Sequence, residues 1–203
     1  MLNLNAIRAA EVKNDPFPFF YIPEVVEHQR ALEISREFPE INQGGSYNLD
    51  DVEISPAFQA FLDDFDTPEF RRVVCDKFDV DIMDRPLMIT LRGYSRAKDG
   101  RIHTDSKTKM VTLLVYLNES WEPETGRLRI LRNATDMEDY VAELLPGPTS
   151  MVAFKVTENC WHGYPAFEGK RQSIQINFLT SDAAGSKHRF FHGLSARFKS
   201  LLK

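Results

Sequence analysis

The chain has 203 residues, of which 42% are hydrophobic and 27% charged, and its net charge is −5. That size and balance predict one soluble globular domain with a sizeable core, and the acidic sign excludes general nucleic-acid affinity. No apolar run reaches the 18 or so residues of a membrane span, and Met1-Leu-Asn-Leu-Asn5 lacks the basic start and apolar stretch of a signal peptide.

Cys75 and Cys160 are too few for a disulfide scaffold, which fits a reducing cytoplasm. Fifteen Phe suggest a β-rich interior with aromatic packing. Along the chain, Phe17 to Ile22 reads as a short strand. Residues 24–37 place Val25, Val26, Leu32 and Ile34 among charges, an amphipathic helix ending near Pro39. Gly44-Gly45-Ser46 marks a loop. Ser55-Pro56 and Thr67-Pro68 each read as an N-cap with proline at the first helical position. They open helices through about Asp64 and about Phe78.

Strands follow: Leu87–Leu91 leading to Tyr94, the apolar run Met110–Leu117, the alternating Arg127–Ile130, Thr149–Val156 and Arg171–Leu179. Helices first and short strands after predict a mainly β (α+β) domain. Its core would be a β-sandwich or jelly roll, braced by N-terminal helices. The expected division is helical support over 1–84, a core carrying the site over 85–180 and a basic tail over 181–203. Leu194, Phe198 and Leu201 give that tail a helical spacing; it would dock on the domain or lie on a membrane surface.

His103-Thr-Asp105 carries the chemistry, with His162 far along the chain and Arg171 nine residues beyond that. In a strand, His-x-Asp puts both side chains on one side. A third ligand, His162, then has to come from a neighbouring strand. Two histidines and a carboxylate suit ferrous iron and leave coordination positions open; zinc is the alternative metal. Arg171 and Ser173 share a strand face. There a guanidinium can take a carboxylate through two hydrogen bonds, or instead form a structural ion pair with Asp or Glu. His28, His188 and His192 read as ordinary surface residues.

The segments Arg92-Gly-Tyr94, His103-Thr-Asp105, Val111-Thr112, Val115-Tyr-Leu-Asn118, Trp121, Gly126-Arg-Leu-Arg-Ile130 and His162-x-x-Pro165-Ala166, ending at Arg171, resemble the iron(II)/2-oxoglutarate-dependent dioxygenases. Within these, the chain is similar to the prolyl-hydroxylase-like group. The resemblance implies a double-stranded β-helix, with iron on His103, Asp105 and His162. It also implies 2-oxoglutarate held at its distal carboxylate by Arg171, with Tyr116 and Ser173, and Tyr94 near the chelating end. Fe(II), 2-oxoglutarate and O2 are the implied cofactors, with ascorbate as a stimulant. The implied reaction is hydroxylation of an unactivated C–H bond with release of succinate and CO2. Asp105 favours that outcome, because related halogenases put a small residue there. Thr125-Gly126 departs from the family's usual Gly-Gly, and the N-terminal half lacks recognisable peptide-gripping elements.

The substrate reads less directly. Arg127, Arg129 and Lys109, with Lys107, either line an entrance for an anionic substrate or form a solvated face. A peptidyl-proline, an amino acid or a saccharide-like metabolite would fit the resemblance. A non-catalytic jelly-roll module for a sugar or peptide, and a zinc hydrolase, are the competing classes.

Overall fold

The computed structural model describes residues 1–181, within which two antiparallel sheets face one another. The strands are β1 (Phe19–Ile22), β2 (Tyr47–Asn48), β3 (Leu87–Ser95), β4 (Lys109–Leu117), β5 (Leu128–Leu131), β6 (Tyr140–Leu144), β7 (Pro148–Lys155), β8 (His162–Gly163) and β9 (Gly169–Leu179). The larger sheet runs β1-β7-β4-β9-β3-β2 and the smaller β6-β5-β8. Helices α1 (Leu4–Ala9), α2 (His28–Arg36), α3 (Pro56–Asp63) and α4 (Pro68–Phe78) cover the outer face of the larger sheet. The result is the expected jelly roll braced by N-terminal helices.

Both faces of the larger sheet are buried, which explains its apolar runs. On β4, Val111, Leu113, Val115 and Leu117 join the helices in one core, while Tyr116 points into a second core between the sheets. On β7, Met151 and Ala153 face the helices, and Val152 and Phe154 face inward. On β9, Ile174, Ile176 and Phe178 face the helices. Arg171, Ser173 and Gln175 therefore take the inner face, because successive side chains alternate. The sheet thus fixes its polar inner residues in place by burying the residues between them.

The two helix starts read from Ser-Pro and Thr-Pro hold. Ser55 Oγ accepts from the Phe58 N–H at 3.1 Å, and Thr67 Oγ1 accepts from the Phe70 N–H at 3.3 Å. The predicted helix over 24–37 is shorter: α2 begins at His28. Val25 and Val26 are buried ahead of it, and the Val25 N–H is spent on the Thr149 carbonyl at 3.1 Å. The predicted strand over 127–130 begins at Leu128, leaving Arg127 outside it. Helix α1 and strands β2, β6 and β8 were not anticipated; β2 and β8 are two residues long, and β6 (Tyr-Val-Ala-Glu-Leu) lacks a clean apolar–polar alternation.

The phenylalanines correct another expectation. Phe17, Phe19 and Phe154 pack inside the jelly roll, but Phe38, Phe58, Phe61, Phe65 and Phe70 form a chain of ring contacts in the helical layer. N-terminal residues also enter the larger sheet, since β1 pairs with β7 and β2 with β3. Among the described residues no helix is long and apolar enough to cross a membrane. The expected tail helix, with His188 and His192, lies outside the described residues.

Leu113 is fully buried between β4 and the helices. Leu113→Ala should remove about 2–5 kcal/mol of stability through lost burial and the cavity left behind. Urea unfolding should show this as a lower midpoint with an unchanged slope.

Candidate metal and co-substrate site

Two segments distant in sequence meet through their backbones. The His103 N–H donates to the His162 carbonyl and the His162 N–H to the His103 carbonyl, both at 3.0 Å. On its other side His162 pairs with Ile130 of β5. This pairing sets the imidazoles side by side, with ring centroids 4.3 Å apart. Asp105 follows two residues after His103. One nitrogen from each histidine and one carboxylate oxygen all lie within 4.8 Å of one another.

Both imidazoles are oriented, and Asp105 is held ionised, as a metal needs. His103 Nδ1 lies 2.8 Å from the Arg101 carbonyl, and His162 Nδ1 lies 2.8 Å from the Cys160 carbonyl. A carbonyl only accepts, so each Nδ1 carries a proton and Nε2 is the nitrogen turned to the site. Burial, reinforced by the charge of His103, lowers the His162 pKa to about 4, so the ring is neutral at pH 7. Burial alone would raise Asp105, but Lys109, His162 and the Thr112 hydroxyl outweigh it and hold the carboxyl at about 2. Lys109 Nζ donates to one Asp105 oxygen at 2.9 Å and Thr112 Oγ1 to the other at 2.5 Å. This donor set, nitrogen and carboxylate with orienting partners behind each ligand, fits a ferrous ion.

A cavity opens beside the imidazoles, lined by Arg171, Ser173, Tyr116, Arg92, Tyr164 and Leu114, among others. Arg171 is buried, and its Nε donates to the Gly126 carbonyl at 2.9 Å. One Nη donates to the Tyr116 hydroxyl at 3.3 Å, and the guanidinium stacks on the Tyr164 ring at 3.8 Å. No Asp or Glu pairs with it among the described residues, so the structural ion pair is not formed. Gly126 has φ +81°, and a Cβ there would come within 2.9 Å of Trp121 and Phe167. Glycine therefore lets this carbonyl reach Arg171. Burial raises the Tyr116 pKa against the opposing charge of Arg171, so the hydroxyl stays protonated and can donate.

His103, Asp105 and His162 are thus brought together, as are Arg171, Ser173 and Tyr116. Tyr94 is not with them. The β3–β9 register shifts between Arg92 and Tyr94, and this bulge turns Tyr94 to the face shared with Lys170, into a separate groove with Phe38 and Ile41. Its expected place near the chelating end is corrected accordingly. Arg127 and Arg129 do not line the cavity either. Arg129 donates to Glu143 at 2.9 Å and to Glu138 at 2.5 Å, and Arg127 lies 3.6 Å from Glu143. Lys109 is committed to Asp105. Their charges are already matched, which removes the basis for an anion entrance built from them. Sequence reasoning missed Arg92 and Tyr164 as cavity residues. Arg92 left one signal: a charge next to Leu91 on an otherwise apolar strand.

Residues 89–179 match the family model of the 2OG-Fe(II) oxygenase superfamily. Over this stretch the chain is similar to that superfamily, whose chemistry uses Fe(II), 2-oxoglutarate and O2. Among solved structures, a Pseudomonas putida prolyl-4-hydroxylase is similar in fold, with TM-score 0.58 and 16% identity over 79% of this chain and 91% of that one. A Trichoplax adhaerens prolyl hydroxylase, solved with a hypoxia inducible factor peptide fragment, gives 0.53 and 14% over 86% and 88%. HygX from Streptomyces hygroscopicus, solved with nickel and 2-oxoglutarate, gives 0.52 and 14% over 79% and 82%. No curated protein matches the chain by sequence.

The state of His162 has a measurable consequence. Its folded pKa of about 4 lies below the usual 6.5, so the unfolded chain binds the extra proton first as pH falls. Metal-free protein should lose about 3 kcal/mol of stability between pH 6.5 and pH 4 from this group. Denaturant unfolding across that window should show the loss, and a His162→Gln variant should show a correspondingly flatter profile.

Proposed function

We propose that this protein is an iron(II)- and 2-oxoglutarate-dependent dioxygenase that hydroxylates an unactivated C–H bond, with His103, Asp105 and His162 as the metal ligands. The observation that carries this reading is a pairing of two features. Three ligand atoms within 4.8 Å of one another sit beside a buried arginine that has no acid of its own among the described residues. A zinc hydrolase accounts for the first feature and leaves the second without a purpose. A non-catalytic module accounts for neither. The free state of both cysteines supports a cytoplasmic location. The shared core of helices and sheet supports reading the chain as one dioxygenase domain.

When bound, iron with 2-oxoglutarate and O2 supplies the oxidising power, giving hydroxylated product, succinate and CO2. The chain's residues supply position. Arg171 takes the distal carboxylate of 2-oxoglutarate, with Tyr116 and Ser173 donating hydroxyl hydrogen bonds. Leu114 keeps the inner wall apolar, which strengthens these charged contacts by excluding water. Thr112 and Lys109 hold Asp105 ionised and oriented. A carboxylate at position 105 leaves no room on the metal for a halide, which favours hydroxylation over halogenation. The similarity in fold to prolyl hydroxylases supports a prolyl or proline-like substrate.

The test is anaerobic titration of iron and then 2-oxoglutarate, followed by the metal-to-ligand absorption band. His162→Ala should abolish tight iron binding without unfolding the protein. Arg171→Met should retain iron and lose about 3–5 kcal/mol of 2-oxoglutarate binding, more than a hundredfold by rough conversion. Tyr116→Phe should cost roughly tenfold. Wild-type 2-oxoglutarate affinity in Arg171→Met would make that arginine structural. Tight zinc binding with no response to 2-oxoglutarate would favour the hydrolase. A screen for substrate-stimulated succinate formation against prolyl peptides, amino acids and saccharides then identifies the substrate class.

A further inference from the structure

Arg171 is not the only guanidinium in the cavity. Arg92 lines it too, from β3. Ser173 stands directly opposite Arg92 across the β3–β9 pair and directly opposite Tyr116 across the β4–β9 pair. Side chains opposite one another on one face have Cβ atoms about 5 Å apart. Arg92, Ser173 and Tyr116 therefore form a row across three strands, and Arg171 reaches the same Tyr116 hydroxyl at 3.3 Å. Both guanidiniums act to lower the pKa of that hydroxyl, against the larger effect of burial.

Arg92 has no ion pair among the described residues, and its Nε is buried without an acceptor. The acid that feels its charge, Asp99, is already taken up by Arg96, through contacts of 3.0 Å from Nε and 2.8 Å from Nη2. Among the described residues the cavity lining contains two guanidiniums and no carboxylate. The Arg92 side chain is half-buried, and its buried N–H without an acceptor is costly.

We propose that Arg92 is a second guanidinium of the carboxylate seat, so that the distal carboxylate of 2-oxoglutarate is held between Arg92 and Arg171, with Ser173 and Tyr116 between them. The assignment rests on the co-substrate reading above. It makes Arg92 a residue that selects 2-oxoglutarate over oxo acids lacking a distal carboxylate.

The experiment compares 2-oxoglutarate with 2-oxopentanoate, which has the same carbon chain without the distal carboxylate. Both are titrated anaerobically into iron-loaded wild type, Arg92→Met, Arg92→Lys and Arg171→Met. Arg92→Met should weaken 2-oxoglutarate about tenfold or more and leave 2-oxopentanoate unchanged. Arg92→Lys should recover part of the loss. Wild-type 2-oxoglutarate affinity in Arg92→Met, alongside a weakened Arg171→Met, would overturn the role of Arg92 alone. Equal losses for both acids would also overturn it, since the distal carboxylate would then not be what Arg92 holds. Failure of wild type to bind 2-oxoglutarate would overturn this assignment and the co-substrate reading together.

Discussion

Everything at the site depends on the backbone exchange between His103 and His162. Two N–H···O bonds at 3.0 Å join the loop after β3 to the short strand β8. Without them the imidazoles would sit on separate loops, and the cost of ordering each would fall on the metal. With them, the smaller sheet is extended to His103 and ring geometry is set before any ligand arrives. The second backbone contact of each histidine, from Nδ1 to the carbonyl two residues earlier, then fixes the tautomer. The main chain therefore does most of the preorganisation, and the side chains inherit it.

The larger sheet solves a different problem. Charged and polar groups have to be held in a poorly hydrated interior, where unmatched charge is expensive. Strands β4 and β9 manage this by alternation. Their outward residues are locked into the helical core, which leaves little freedom for Tyr116, Arg171 and Ser173 between them. Asp105 is matched on both oxygens by Lys109 and Thr112. Among the described residues the guanidinium of Arg171 is matched by a carbonyl, a hydroxyl and aromatic faces, none of them an anion. Asp105 is thus balanced by protein charge, and Arg171 carries a charge that no acid of the described residues balances.

Much of this was legible from residue order. Ser55-Pro56 and Thr67-Pro68 marked helix starts because capping is local chemistry. The run from Met110 to Leu117 read as a buried strand because both faces of the sheet are covered. His-x-Asp read as the end of a strand, whereas His103 joins β8 through a single bridge and Asp105 lies in the loop before β4. The two-residue period of a strand misled at Tyr94, since the β3–β9 register shifts after Arg92 and leaves Tyr94 opposite Lys170 on the other face. Arg127 and Arg129 read as an unmatched basic face because Glu138 and Glu143, which neutralise them, come from the next strand and the turn before it. The aromatic count suggested a β interior, whereas the rings of the helical layer meet through packing that no short-range pattern encodes.

The sequence alone determined the ligand types, the alternation that puts Arg171 and Ser173 on one face, and the helix starts, because each depends on residues a few positions apart. Tertiary structure decided which distant strand meets His103, which charges are already spent and which are left open. It also decided that Arg92 enters the cavity while Tyr94 leaves it. Those outcomes depend on strand register and on cross-strand neighbours, and a one-residue shift in register exchanges the two faces of a strand.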